Sequence, residues 1–180
     1  MMDDRRIPFP GETTTGTRTW AVALPALALL ALLFQSAVRP PWQAQFPPLR
    51  TGEIAVGGVP LVVELATAPE ERVRGLGYRE ELAPGTGMLF VGDAAEPQSF
   101  WMKGMRFCLD IIWVEGGEIV GAAENACPDP AGTPDSARAR FSSPEPVRYV
   151  LEVPAGWLGG YGFGVGTPVE GIEAAVAAAG

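Results

Sequence analysis

Two charged side chains stand where a strand-rich sequence would otherwise be apolar. Lys103 closes the run Phe100-Trp101-Met102-Lys103, and Asp110 interrupts Leu109-Asp110-Ile111-Ile112-Trp113. Lys103 is the sole lysine of the chain. A charge in such surroundings is expensive unless it is paired. Asp110 therefore needs a partner, and Lys103, Arg74, Arg79 or a backbone amide could serve. The chemical reading is a small cleft in which Lys103 holds an anion and Asp110 orients it. A buried lysine with a lowered pKa could also act as base or nucleophile, with Asp110 or Glu152 beside it. The structural reading is an ion pair or a set of loop-anchoring hydrogen bonds, and it carries the greater weight. Arg74 and Arg79 flank a glycine-broken helix end and could offer planar forks to a carboxylate or phosphate. Pairing with neighbouring glutamates is as good an account. Trp101 could line a pocket, although aromatic residues in short strands are more often core. The candidate ligand-binding set is thus Arg74, Arg79, Trp101, Lys103, Asp110 and Glu152, and no catalytic residue is assigned.

Composition removes several classes. The chain has 180 residues, 13 basic and 21 acidic side chains, and a formal net charge of -8. That balance argues against a nucleic-acid partner, whose phosphates demand a basic face. The absence of histidine removes the commonest general base and transition-metal ligand. Neither a metal nor another cofactor is expected, and the balance leans away from an enzyme. The glycine-rich Gly159–Gly166 stretch lacks the strand-to-helix context of a phosphate loop.

The elements that must position these residues follow from the patterning. Residues 1–19 form a polar N-terminal tail. Trp20 to Val38 carries no charge and is long enough to cross a bilayer as a helix. It is expected to be an uncleaved membrane anchor, with a cleaved signal segment as the alternative. The excess of arginine before it favours an exported C-terminal domain; the alternative is a secreted or periplasmic product. Residues 39–50 read as a Pro-rich linker. The globular domain is expected over 51–172, with a frayed tail over 173–180. Within it, Glu53–Val56 and Val59–Ala66 flank Gly57-Gly58 as a hairpin. Thr67 to Glu70 is a capping-box signature for a short helix. Met88–Val91, Gln98–Met102, Arg106–Val114 and Glu118–Ala123 read as strands, and Val147–Val153 alternates cleanly. Pro154–Tyr161 reads as a short helix, and Gly162–Val169 as a last short strand. A tight turn at Gly116-Gly117 would set Cys108 opposite about residue 125. Cys127 thus lies within a diagonal or a bulge of its partner, so a Cys108–Cys127 disulfide is plausible in an exported domain, and two free thiols are the alternative. Residues 128–146 read as a long exposed loop, around which a partner surface could form.

Four motifs then point to a family. They are Arg74-Gly-Leu-Gly-Tyr-Arg79, Gly87-Met-Leu-Phe90, Phe100-Trp-Met-Lys103 with Leu109-Asp-Ile-Ile112, and Tyr149-Val-Leu-Glu152 with Ala155-Gly156. In this order the chain resembles the bacterial and archaeal domain of unknown function numbered 192. The resemblance implies a compact, β-rich, barrel-like α+β domain with one or two short helices, often exported behind a signal or anchor. It implies no established activity. Three departures stand out: Gly104-Met105 where the family usually has Asn-Thr, Cys108 where it has proline, and Gly77 where it has methionine. The leading expectation is a membrane-tethered extracytoplasmic domain binding a small polar or acidic ligand. The alternatives are a hydrolase or transferase using Lys103, and a protein-interaction domain.

Overall fold

A computed structural model describes residues 48–179. Nine strands and three short helices are present among them. The strands are β1 (Thr51–Val56), β2 (Val59–Ala66), β3 (Thr86–Glu96), β4 (Ser99–Phe100), β5 (Leu109–Glu115), β6 (Glu118–Ala126), β7 (Phe141–Ser142), β8 (Val147–Pro154) and β9 (Val169–Glu170). The helices are α1 (Pro69–Arg74), α2 (Trp157–Tyr161) and α3 (Ile172–Ala179). Seven strands form one sheet in the order β6-β5-β8-β3-β2-β1-β9, and β4 pairs with β7. The hairpins β1–β2 and β5–β6 turn at glycine pairs. All four glycines have positive φ, between 55° and 81°, as the twist of a two-residue hairpin requires. β2 and β3 run parallel, so the connection through α1 is a crossover. β8 inserts between β3 and β5. The two edges of the sheet meet at one end. Ile119 N–H donates to Thr167 O at 2.9 Å, Gly166 N–H to Ile119 O at 2.8 Å and Val169 N–H to Gly117 O at 2.7 Å. This gives the expected barrel-like shape.

The sheet buries both faces. On one face Leu61, Val63, Leu89, Ile112, Val114, Leu151 and Val153 pack together with Leu158 of α2 and Ile172 and Ala175 of α3. On the other, Met88, Phe90, Leu109, Ile111, Trp113 and Val150 pack beneath Leu76 and Met102, with Phe100, Met105 and Phe141 against them. Adjacent residues of one strand fall into different clusters, as the two-residue period dictates.

Several expectations are corrected. Among the described residues no helix is long and apolar enough to cross a membrane. The longest, α3, has eight residues, about 12 Å against the roughly 30 Å of a bilayer core. The anchor expected over 20–38 lies outside the described residues, and the described residues form a β-rich domain. The membrane as partner and the tethered localisation are corrected with it. The cap of α1 is Ala68, not Thr67, and the box is closed by Glu71 rather than Glu70. Glu71 accepts both the Thr67 and Ala68 N–H groups at 2.9 Å, and Pro69 takes the first helical position, where its missing donor costs nothing. The strand expected over Gln98–Met102 is only Ser99–Phe100, and the last strand shrinks to Val169–Glu170. The tail expected to fray forms α3, because Ala175 lies against Gly52 of β1; a Cβ there would sit 2.6 Å from that of Ala175.

Candidate functional site

Asp110 is fully buried on β5. It faces the same side as Ile112 and Val114. Both of its oxygens are engaged by backbone. Oδ1 accepts from Asn125 N at 2.8 Å and Gly156 N at 3.1 Å, and Oδ2 from Leu158 N at 3.0 Å. The Asn125 bond follows from a bulge. Along β5–β6 the partners run Glu115↔Glu118, Trp113↔Gly121, Ile111↔Ala123 and Leu109↔Ala126. The two partner numbers sum to 233, then 234, then 235, so β6 gains one extra residue at each of two irregularities. At the second, Asn125 adopts the left-handed region with φ 52°, which asparagine tolerates better than most side chains. Its displaced N–H finds the Asp110 carboxylate instead of a ladder carbonyl. The same two-residue slip moves the partner of Cys108 from 125 to 127. Cys108 and Cys127 are bridged, with Cα atoms 4.1 Å apart. Asp110 thus holds the bulge, the entry to α2 and the disulfide register together.

Lys103 does not meet Asp110. Its ammonium pairs with Asp135 at 2.5 Å, and its side chain is 44% exposed. Asp135 also accepts from Arg138 at 3.0 Å. The Lys103 and Arg138 hydrogen bonds hold the Asp135 carboxyl below its usual range. Trp101, beside Lys103, carries two cations over its ring: the Arg140 guanidinium at 3.9 Å from the centroid and the Lys103 ammonium at 4.9 Å. The exposed 128–146 loop, which includes a 3-10 turn at Asp135–Ala137, supplies the Asp135, Arg138 and Arg140 side of this surface. Among the described residues, the Arg140 guanidinium has that ring contact and no hydrogen bond or ion pair.

Arg79 and Glu152 lie on the face of the sheet opposite Asp110, where the Arg79 charge acts on the Glu152 carboxyl without a hydrogen bond or ion pair between them. Arg79 makes a two-pronged pair with Glu64, at 2.5 Å and 2.8 Å. Glu152 on β8 is 5% exposed. Burial pushes its carboxyl up to about 8, and the Arg79 charge pulls in the other direction. Arg74 ends α1 and leads into a segment that lies on the 101–105 loop. There Tyr78 N–H donates to Gly104 O at 2.8 Å. Gly104 has φ 75°, and a Cβ on it would lie 3.2 Å from the Tyr78 ring. Asparagine, usual in the family at this position, is the side chain that next best tolerates such a φ, so Gly104 preserves the turn.

The six expected ligand-binding residues are therefore divided. Trp101 and Lys103 share one surface, Arg79 and Glu152 another region, Arg74 ends α1, and Asp110 is taken up by backbone. Sequence reasoning missed Glu64, Asn125, Asp135 and Arg140 as parts of these sites. A signal existed for Glu64: its place in the β2 alternation sets it on the face opposite Leu61, Val63 and Leu65. Arg140 carried none, since its contact with Trp101 spans the whole exposed loop. Among the described residues, no group of three or more acidic or cysteine side chains could hold a metal ion.

A candidate transcription regulator from Sinorhizobium meliloti 1021 shares 33% identity and a TM-score of 0.62, over 69% of this chain and 96% of that one. A protein of unknown function from Novosphingobium aromaticivorans shares 28% identity and a TM-score of 0.60, over 87% of this chain and 99% of that one. No curated protein matches the chain. Residues 52–171 match the family described as DUF192, uncharacterized ACR, and the chain belongs to that family.

Proposed function

We propose that this is a protein-interaction domain whose partner surface is built on Trp101, Arg140 and Lys103, and that the partner presents an acidic segment. The observation that carries the reading is the Arg140 guanidinium stacked 3.9 Å from the Trp101 ring centroid with no carboxylate of its own. Stacking fixes the plane of the fork and leaves its donors free for a bidentate acceptor. Trp and Arg are also the side chains most often found to dominate interfaces. Lys103 pairs with Asp135, and Arg138 with Asp135 and Asp129, so Arg140 is the cation of this cluster that a partner carboxylate would meet. The Cys108–Cys127 disulfide suits an oxidising compartment, which agrees with a secreted or periplasmic site of action. Chemistry by Lys103 with Asp110 is disfavoured, because both Asp110 oxygens are occupied by backbone donors. The regulator description of the S. meliloti relative would reach this chain through a protein contact, since a net charge of -8 opposes direct binding to DNA.

The test is calorimetric titration with Glu- and Asp-containing peptides at low and high salt, using wild type, Trp101→Ala and Arg140→Glu. Binding should weaken with salt. Trp101→Ala should cost about 2 kcal/mol, roughly thirtyfold in Kd, and Arg140→Glu should abolish binding while circular dichroism stays unchanged. Undiminished binding by Arg140→Glu would refute the reading.

A further inference from the structure

A free strand edge runs along the partner surface. β4 and β7 pair as Ser99↔Ser142 and Phe100↔Phe141. Ser143 N–H donates to Gln98 O at 2.9 Å, so Gln98 and Ser143 lie on a bonded rung. Bonded and non-bonded rungs alternate in an antiparallel ladder. Phe100 and Phe141 therefore form the next bonded rung, with the non-bonded rung of Ser99 and Ser142 between the two. Trp101 and Arg140 come next in that register, also non-bonded, where opposite side chains approach most closely. The 3.9 Å stack between them agrees with this placement. Phe100 and Phe141 pack onto the sheet, so Trp101, Arg140 and Ser142 share the outward face. On a non-bonded rung the main-chain N–H and C=O groups point away from the partner strand. Those of Arg140 and Ser142 thus point off the outer edge of β7. β7 pairs with β4 alone, and among the described residues no hydrogen bond takes up these groups. Both residues are exposed. The edge is also held in position. Asp129 accepts the Ala139 N–H at 3.1 Å and pairs with Arg138, while the Pro144 ring packs against Gly121 of β6.

We propose, resting on the reading that this surface takes an acidic partner, that the partner's acidic segment binds as an added antiparallel strand on the outer edge of β7, with a carboxylate opposite Arg140. Main-chain donors and acceptors in strand geometry at a free edge are matched by another extended chain. A residue directly opposite Arg140 on the added strand shares its face. Its carboxylate then meets a guanidinium whose plane the Trp101 ring already fixes. That charge match selects an acidic segment over a neutral or basic one. It also disfavours a second copy of this chain. In an antiparallel pairing of two β7 edges, Arg140 would face Ser142, Arg140 or Pro144 of the other copy, none of them an acid. Pro144 has no N–H and ends the edge, so the added strand is short.

The test uses the full-length protein and the peptide acetyl-Thr-Glu-Thr-Glu-Thr-Glu-amide. In an antiparallel ladder the residues opposite Arg140 and Ser142 turn their own N–H groups towards β7. Methylating the glutamate main-chain nitrogens should therefore weaken binding at least about tenfold, and methylating the threonine nitrogens should change it by less than about twofold. Saturating peptide should slow amide exchange at Arg140 and Ser142 about tenfold, with less change at Phe141, which already sits on a bonded rung. These measurements need no variant to fold. Ser142→Pro removes one outward donor at an edge position that tolerates proline; it should weaken binding about tenfold while circular dichroism stays unchanged. Strand addition is overturned if the parent peptide does not bind, if the glutamate-methylated peptide binds as well as the parent, or if exchange at Arg140 and Ser142 is not slowed. A wild-type dimer that Ser142→Pro dissociates would also overturn it, since a second copy would then hold the edge. If strand addition fails while Arg140→Glu still abolishes binding, the acidic-partner surface stands without the added strand; if Arg140→Glu binds undiminished, both fall.

Discussion

Replacing Asp110 tests the claim that this carboxylate is a structural clamp. Its oxygens accept three backbone N–H groups, from residues 15, 46 and 48 positions away in sequence. Hydrogen bonds to a charged group are worth about 1.5–3 kcal/mol each, and a buried donor left unpaired adds its own desolvation cost. The three share one side chain, so they are not additive. Asp110→Ala should therefore cost about 4 kcal/mol, a loss large enough to need a named mechanism. Asp110→Asn keeps one accepting oxygen for Asn125 and Gly156 but turns an NH2 group towards Leu158 N–H. It should cost about 2 kcal/mol on the same scale. For a domain of this size the alanine variant should melt about 10 °C lower. The assay is urea unfolding of wild type and both variants, with amide exchange read at Asn125, Gly156 and Leu158. Exchange at those three amides should accelerate most. Because Asp110 also holds the bulge opposite Cys108, dithiothreitol should reduce the disulfide faster in Asp110→Ala. An alanine variant within 1 kcal/mol of wild type, or unchanged exchange at the three amides, would refute the argument.

Three further outcomes follow from the same geometry. The Cys108–Cys127 bridge closes a separation of 19 residues, so the Cys108→Ser/Cys127→Ser variant should be about 3 kcal/mol less stable by urea unfolding. Glu152 has a folded pKa raised to about 8 from an ordinary value of 4.5. The folded state then binds the extra proton, and this contribution to stability should be complete below about pH 4.5 and lost by about pH 8. The decline should amount to a few kcal/mol and be absent in Glu152→Gln, as chemical unfolding at several pH values can show. Glu64→Gln should free Arg79 to pair with Glu152, and the Glu152 midpoint by NMR should fall.

Local chemistry made much of the fold legible in the sequence. Gly57-Gly58 and Gly116-Gly117 specify hairpins because few other residues accept positive φ at two successive positions. The alternation of Val147 to Val153 specifies a strand because its period is two. Gly75 stops α1 for the same local reason. The family motifs likewise are short contiguous runs. Contacts between elements were not legible. Asp110 announced that it needed a partner, but its donors lie on β6 and at the entry to α2, and only a register slip of two residues brings Asn125 to it. That slip also decides that Cys108 meets Cys127, which no spacing rule for a regular hairpin gives. Arg79 and Glu152 carried no sequence sign of each other. The Arg79 charge reaches Glu152 because β8 inserts between β3 and β5, setting Glu152 on the rung of Glu64, the partner of Arg79. The sequence by itself determined the longer strands, the two glycine hairpin turns and the family, since these depend on neighbouring residues. Only the tertiary structure decided which charges are spent on holding the fold and which stay open to a ligand, because burial and pairing depend on strand order and register across the whole sheet.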